Sequence, residues 1–451
     1  MSSLMIGLFI VILMFVVMLL GVPIAFALGL TALVAVVLFL SPSQLVFFGE
    51  FVFNSVNNFT LLAIPLFIFM GTVFGGSKAS ADLFEAGHMW LNRLRGGLAM
   101  SSVVASALFA ALCGSSAATA AAIGRVAVPE MRKRGYTNSV STGAVVAGGT
   151  LGILIPPSVT LILYGIAAEQ SIGQLFLGGI VPGISITVLF CTWISIATYI
   201  EKRKGIAGTP LPAGAEVAQR AMEAERFYWS DRIKALLKVL PFIALIAGVL
   251  CSLYLGFATP SEAAAVGALL ALILIVIAYR SLTWKKFSGM LLEATGQSTM
   301  VMLIVAFSAV LGTVMSFLSI PQDLAALITE LGVNRWLVMV AIMIFLLILG
   351  LPLPPVSIIL MVTPIIFPII TALNFDPIWF GVVMSVNLEM ALITPPVGLN
   401  LYVVKGIVPS VPMRDILVGS MPYVAILALS LVLFALVPGL VTWLPNAVFG
   451  Q

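Results

Sequence analysis

Charge is scarce in this chain. Asp, Glu, Lys and Arg make up 8% of its 451 residues, where soluble domains carry roughly 25%, so a water-facing surface of ordinary composition cannot be built. Histidine occurs once, as His88, and the three cysteines, Cys113, Cys191 and Cys251, are scattered. Those absences leave no ligand cluster for a transition metal and no disulfide framework. The sequence has no HExxH motif and no pair of catalytic acids, so neither an enzyme nor an organic cofactor is expected. A formal net charge of +4 is not the signature of a nucleic-acid partner. The opening MSSLMIGLFI lacks the basic n-region of a cleavable signal, and the apolar run that follows is too long for an h-region. Two spans meeting near Gly21-Val22-Pro23 are expected there.

Apolar sequence is abundant. With 61% hydrophobic residues and a mean hydropathy of +1.21, the chain reads as an all-α polytopic protein whose main partner is membrane lipid. Apolar spans fall at 4–20, 23–40, 60–76, 138–168, 181–200, 239–256, 261–279, 298–318, 378–404 and 421–443. Two amphipathic stretches, SKASADLFEAGHMWLNRLR and TWKKFSGMLLEATGQ, are expected to lie along the membrane surface. His88 falls in the first of them. Trp90, Trp284, Trp336 and Trp379 fall near expected interfaces. In TPSEAAA, Thr259 or Ser261 can cap a helix whose first turn holds Glu262.

Two regions do not fit the spanning pattern. From Leu98 to Pro129 two apolar arms of roughly 13–16 residues, short of the ~20 needed to span, flank Gly114-Ser115-Ser116, and both ends are basic. A re-entrant hairpin entering and leaving on the cytoplasmic face is the economical solution. From Asn334 to Asp376 two apolar arms flank GLPLPPVS, which reads as a hairpin from the opposite face. With both termini outside, every Lys and Arg except Arg125 and Arg335 lies on the cytoplasmic side, as the positive-inside rule requires.

The halves share spacing as well as order. From Gly114 to Pro156 is 42 residues and from Gly350 to Pro395 is 45; from Pro157 to Pro182 is 25 and from Pro396 to Pro422 is 26. Each half runs hairpin, broken span, surface segment, span, from opposite sides, which is an inverted-topology repeat. The expected organisation is scaffold helices in 1–76, a first repeat in 77–201 (hairpin 98–130, broken helix 138–168) and a cytoplasmic linker in 202–237. Further scaffold helices follow in 238–318, then a second repeat in 319–451 (hairpin 335–373, broken helix 378–404).

Each broken helix carries a Pro-Pro pair, in GILIPPSVTLILYG at 152–165 and ALITPPVGLNLYV at 391–403. Proline removes a donor and clashes with the preceding turn, at about 3 kcal/mol in a helix interior. The freed carbonyls cannot be satisfied by lipid and are tolerated where they line a cavity. Serine and threonine hydroxyls with bare carbonyls are hard oxygen ligands suited to Na⁺, and exposed helix N-termini suit an anion. One Na⁺ site is therefore expected from Gly114, Ser115, Ser116, Gly152, Pro156 and Ser158. A second is expected from Gly350, Pro354, Val356, Thr394, Pro396 and Gly398. Ser116, Arg125, Pro157, Pro355, Glu389 and Asn400 are the candidates for substrate contact, Arg125 and Glu389 because ionisable groups in apolar runs are functional candidates by default.

Six stretches, LGVPIAFALG (20–29), LLAIPLFIFMG (61–71), GSSAATAAAIGRVAVPEMRKRGY (114–136), GILIPPSVTLILYG, TPSEAAAVGA (259–268) and NLEMALITPPVGLNLYV (387–403), are spread along essentially the whole chain. In combination they resemble the large membrane subunit of tripartite ATP-independent periplasmic (TRAP) transporters. The resemblance implies an elevator-type secondary transporter in a bacterial or archaeal cytoplasmic membrane, braced by a small four-helix membrane subunit and supplied by a soluble periplasmic binding protein. It implies Na⁺-driven uptake of small organic anions such as C4-dicarboxylates, sugar acids or sialic acid. The chain departs from the family in having Leu353-Pro354-Pro355 at the second tip, where relatives carry an acid. A stand-alone Na⁺/divalent-anion symporter is the alternative, distinguished by independence from a binding protein. An intramembrane enzyme or a channel fits the composition and the opposed halves less well.

The topology is testable by labelling. Single cysteines at Lys133 and Lys204 should react only from the cytoplasm, and one at Asn374 only from outside. Labelling of position 133 from outside would overturn the hairpin and the inverted repeat with it.

Overall fold

The computed structural model describes residues 2–204, 227–279 and 283–450. Residues 205–226 of the expected linker, with Arg220 and Arg226, and Arg280 of the charge pattern lie outside the described residues. The described residues contain helices and no strands. Six of those helices are long and apolar enough to cross a membrane.

The first part of the chain supplies α1 (Ser3–Leu19), α2 (Ile24–Phe39), α3 (Phe48–Val56) and α4 (Ala63–Gly75). α1 and α2 are separated at Gly21, in the left-handed region, and Pro23, as the GVP sequence requires. The segments Ser43–Val56 and Phe59–Gly75 form one bent pair with a 58° break. Only its second limb is apparent in the hydropathy of the sequence, because Glu50, Asn54, Asn57 and Asn58 dilute the first.

α5 (Ala79–Leu91) precedes the first hairpin, α6 (Gly97–Cys113) and α7 (Ser116–Lys133). The first broken helix is α8 (Asn138–Thr150) with α9 (Val159–Ala167), followed by α10 (Ile172–Arg203). No separate surface segment stands before the span 181–200: α10 is one helix of 32 residues that accommodates Pro182 in its interior. α11 (Trp229–Tyr254) starts inside the stretch read as linker, with a capping box between Tyr228 and Asp231. After α12 (Pro260–Leu274), which continues into a π-turn at Ile275–Tyr279, comes α13 (Trp284–Phe317). The stretch TWKKFSGMLLEATGQ was expected to be an interfacial helix of its own. It is instead the start of α13, an unbroken 34-residue helix, because no proline stands between Thr283 and Phe317 to stop it.

α14 (Ile320–Glu330) precedes the second hairpin, α15 (Arg335–Gly350) and α16 (Pro355–Ala372). Then come the second broken helix, α17 (Pro377–Leu392) with α18 (Leu399–Ile407), the long α19 (Met413–Leu436), and α20 (Gly439–Phe449). The last apolar run, 421–443, is divided by Val437-Pro438 rather than continuous. The fold is thus all-α and polytopic, with two helical hairpins and two broken helices in matching order.

The halves interlock. α8 packs on α19 of the other half, and α17 on α10. At the first of these contacts the backbones touch: a Cβ on Gly143 would stand 2.3 Å from the Gly419 carbonyl oxygen, and one on Gly419 2.1 Å from that of Ser139. Only glycine fits at either position. α5 and α14 hold comparable places at the rim. α5 meets α11 through Trp90 Nε1, which donates to the Arg232 carbonyl at 3.3 Å, and through Lys238–Glu85 at 3.5 Å. It meets the end of α7 through His88 and Arg134. Burial, reinforced by the Arg134 charge, lowers the His88 pKa to about 4, so the imidazole is neutral at physiological pH. α14 meets α1 through Ser3 and Asp323.

The start of α12 shows how local sequence sets a helix boundary. Thr259 Oγ1 accepts from the Glu262 amide at 3.4 Å, Glu262 Oε2 accepts from the Thr259 amide at 2.8 Å, and Pro260 sits in the first turn. These hydrogen bonds hold the exposed Glu262 carboxyl below its ordinary pKa, so the acidic half of the box is lost as pH falls through that lowered value. Thr259→Ala should cost about 1 kcal/mol, read as a lower melting temperature of the purified protein. An unchanged melting curve would show that the cap contributes nothing measurable.

Candidate functional site

Each hairpin turns on a residue that cannot continue the helix. α6 ends where Gly114 takes φ +60°, and Ser115, in extended conformation, starts α7 by accepting from the Ala118 amide at 3.5 Å. α15 ends at Gly350, and Pro354, also extended, opens α16.

Each broken helix comes apart at its Pro-Pro pair. In the first, Ser158 caps α9 by accepting from the Leu161 amide at 3.3 Å, while the carbonyls from Gly152 to Pro157 accept no backbone hydrogen bond among the described residues. In the second, the carbonyls from Ile393 to Val397 are likewise without backbone donors, and α18 restarts after Gly398 at φ +53°. The Pro156–Pro157 and Pro395–Pro396 peptides are both cis.

Tip and break meet in the first half, and in the second the end of α15 meets the end of α17. A Cβ on Gly152 would stand 2.8 Å from the Ser115 carbonyl carbon and 2.8 Å from the Ser116 nitrogen, and one on Gly114 3.4 Å from the Pro157 carbonyl oxygen. In the second half a Cβ on Gly350 would stand 2.5 Å from Ala391 Cβ. The first contact is backbone against backbone and brings hydroxyl and carbonyl oxygens of Ser115, Ser116, Pro157 and Ser158 into one neighbourhood. The second is closed by apolar side chains, and the Thr394 hydroxyl there donates back to the Met390 carbonyl at 2.6 Å.

Between the halves lies a cavity of about 650 Å³. Of the residues singled out from sequence, Gly114, Ser115, Ser116, Arg125, Pro354, Pro355, Val356 and Asn400 line it. Its walls include the first residues of four helices: Ser116 to Ala118 of α7, Val159 and Thr160 of α9, Pro355 and Val356 of α16, and Leu399 and Asn400 of α18. Free amides and the positive ends of helix dipoles gather there. Arg125 is exposed and makes no ion pair or hydrogen bond among the described residues. Gly152, Pro156, Pro157, Ser158, Gly350, Thr394, Pro396 and Gly398 do not line it, and Pro396 is exposed. Nor does Glu389, which is 1% exposed and hydrogen-bonded to the Ser116 hydroxyl.

The opposite wall was not apparent in the sequence. It consists of Ile68, Gly71, Thr72, Gly75 and Gly76 of α4 and its end, and Met290, Glu293, Gln297, Met300 and Val301 of α13. Gln297 Nε2 donates to Glu293 Oε1 at 3.4 Å. The Gly71…Gly75-Gly76 run was the available signal, since small residues in an apolar helix mark close approach. α13 offered none, because its acidic turn resembles a solvated surface.

Over residues 11–440 the chain matches the family described as tripartite ATP-independent periplasmic transporter, DctM component. It is 36% identical to the C4-dicarboxylate TRAP transporter large permease protein DctM of Pseudomonas aeruginosa over 420 residues, covering 93% of this chain and 94% of that protein. It is 32% identical to the isethionate TRAP transporter permease protein DctMQ of Oleidesulfovibrio alaskensis, covering 93% of this chain and 63% of that one. The solved structure of the Alcanivorax borkumensis YdaH transporter superposes with a TM-score of 0.64 at 14% identity, covering 90% of each chain. At that identity the likeness is one of fold.

The close approach of the first tip to its break makes a sharp prediction. Gly152→Ala should force the tip away from the break and cost about 1–3 kcal/mol, as overpacking does. Gly248→Ala, where a Cβ meets nothing within 4 Å, should leave thermal stability unchanged or slightly raised. Equal melting temperatures for the two variants would contradict the packing of the tip.

Proposed function

This chain belongs to the DctM component family of tripartite ATP-independent periplasmic transporters, and from that premise we propose that it is the permease for Na⁺-driven uptake of a small organic anion. The observation that carries the reading is the convergence of four helix N-termini and the free Arg125 on one cavity. Unsatisfied amides and dipole ends favour negative charge without placing a full cation in the membrane. One guanidinium then supplies bidentate recognition of a carboxylate or sulfonate. A C4-dicarboxylate, a sugar acid, sialic acid or a sulfonate such as isethionate falls within that chemistry.

Na⁺ coupling is supported by the donors at the breaks. The first tip and break offer serine hydroxyls together with carbonyls that have no other backbone partner, the hard oxygen set a dehydrated Na⁺ takes. At the second, the carbonyls from Ile393 to Val397 provide the same set without a side-chain contribution from Pro354 or Pro355. Each ion would neutralise charge brought in by the anion, so ion and substrate together favour the loaded carrier.

The movement that fits is an elevator. Hairpin and broken helix pack together across the halves, α7 on α18 and α16 on α9, and these elements would translate as one body. α1, α2, α4, α11, α12 and α13 would form the fixed scaffold, with α5 and α14 at the junction. The lysine and arginine distribution puts the Arg125 end of the cavity toward the cytoplasm, in a multi-pass protein of the bacterial inner membrane. A soluble periplasmic binding protein would deliver the anion, and a small membrane subunit would brace the scaffold as a separate chain.

Uptake into proteoliposomes, measured for succinate, isethionate and sialic acid with the corresponding binding proteins, tests the reading. Transport of one of them should require a Na⁺ gradient. Ser116→Ala should raise the Na⁺ concentration for half-maximal uptake about tenfold with normal expression. Equal uptake without Na⁺ would remove the coupling ion, and uptake without a binding protein would favour a stand-alone symporter.

A further inference from the structure

Glu389 belongs to the second broken helix, yet its side chain ends at the tip of the first hairpin. Oε1 accepts from the Ser116 hydroxyl. The residue is 1% exposed, and Oε2 has no hydrogen-bond partner. No Lys, Arg or His forms an ion pair with it among the described residues.

A buried carboxylate with no cation is costly enough that proteins pair or neutralise it. Here the carboxylate is held by the hydroxyl of Ser116, whose backbone nitrogen and preceding carbonyl form the contact with Gly152. A second polar group from the same half reaches that place. Asn400 Nδ2 stands 3.4 Å, and the Ser116 carbonyl oxygen 3.1 Å, from where a Cβ on Gly149 would be, and both polar atoms of the Asn400 side chain lack partners at 0% exposure. The first tip is therefore approached by two side chains of the second half, Glu389 and Asn400, that carry unpaired polar atoms.

We propose that Glu389 is the anionic ligand of the cation bound at the first hairpin tip, reaching across the repeat to complete a site otherwise made of neutral oxygens. This rests on the Na⁺-coupled reading above and deepens it. The Ser116 hydroxyl, which donates to Glu389, would turn its oxygen to the bound ion, and the carboxylate charge would be cancelled in place. The cation then joins α7, the first break and α17, so that its occupancy ties the two halves into the body that moves.

The test is Na⁺-dependent thermal stabilisation of the purified chain, with choline chloride keeping ionic strength constant. The unaltered protein should show a saturable rise in melting temperature with Na⁺. No rise at all would sink the Na⁺ reading itself. Given that rise, Glu389→Gln should shift the Na⁺ midpoint upward at least tenfold, and Glu389→Asp, which keeps the charge but shortens the reach, should shift it less. A wild-type midpoint in Glu389→Gln would overturn the assignment while leaving Na⁺ coupling intact. If Glu389→Gln cannot be recovered folded, the Asp variant decides: a raised midpoint supports the ligand role and an unchanged one refutes it. Failure of both variants to fold also refutes it, because a group whose task is to hold the cation is not required for the fold.

Discussion

Lipid offers no hydrogen bonds, and every other feature of this protein follows from how the chain lives with that. A continuous helix answers the constraint by pairing its own backbone. At residues 152–157 and 393–397 the chain declines that answer and leaves a row of carbonyls without backbone donors. Such a break is stable only if something polar and close-fitting covers it. The first hairpin covers the first break, with Ser115 and Ser116 pressed so closely on Gly152 that no Cβ fits between. The hairpin is short because it has to stop at that depth, and small at its tip because the backbone of the break must be reached.

Two breaks placed together shape one cavity. Restarting a helix after a break creates an N-terminus, and turning a hairpin creates another. The two halves therefore bring four helix N-termini to the walls of one cavity. In water such ends are worth a few tenths to 1 kcal/mol toward an anion, and more where they are partly buried. Their grouping beside Arg125 makes a site that attracts negative charge while needing only one full cation.

Interlocking of the halves gives this site its rigidity. α8 against α19 is a glycine-on-backbone contact, and α10 against α17 places Gly178 beside Ile378 and Val382. Neither repeat is a separate unit, since each broken helix is held by the long helix of its counterpart. The link between Ser116 and Glu389 runs in the same sense, from the tip of one half to the broken helix of the other. These contacts tie the two halves to each other rather than leaving each to stand alone.

Hydropathy, the placement of lysine and arginine, and the repeated Pro-Pro spacing by themselves determined the membrane class, the two hairpins, the two breaks and the residues at the tips. Those signals are local, and proline, glycine and charge act on the chain within a few residues of where they stand. Helix length was less legible: α10 and α13 run straight through positions where polar residues suggested a surface segment, because polarity on one face does not break a backbone ladder. Which side chains meet was decided by the tertiary structure. Glu389, six residues before Pro395, has the sequence position of a second-half ligand, yet packing carries it to the first tip. Glu293 and Gln297 look like solvated surface and instead form the wall opposite Arg125. Both placements depend on contacts between residues far apart in the chain, and no periodicity or spacing within either segment encodes its partner.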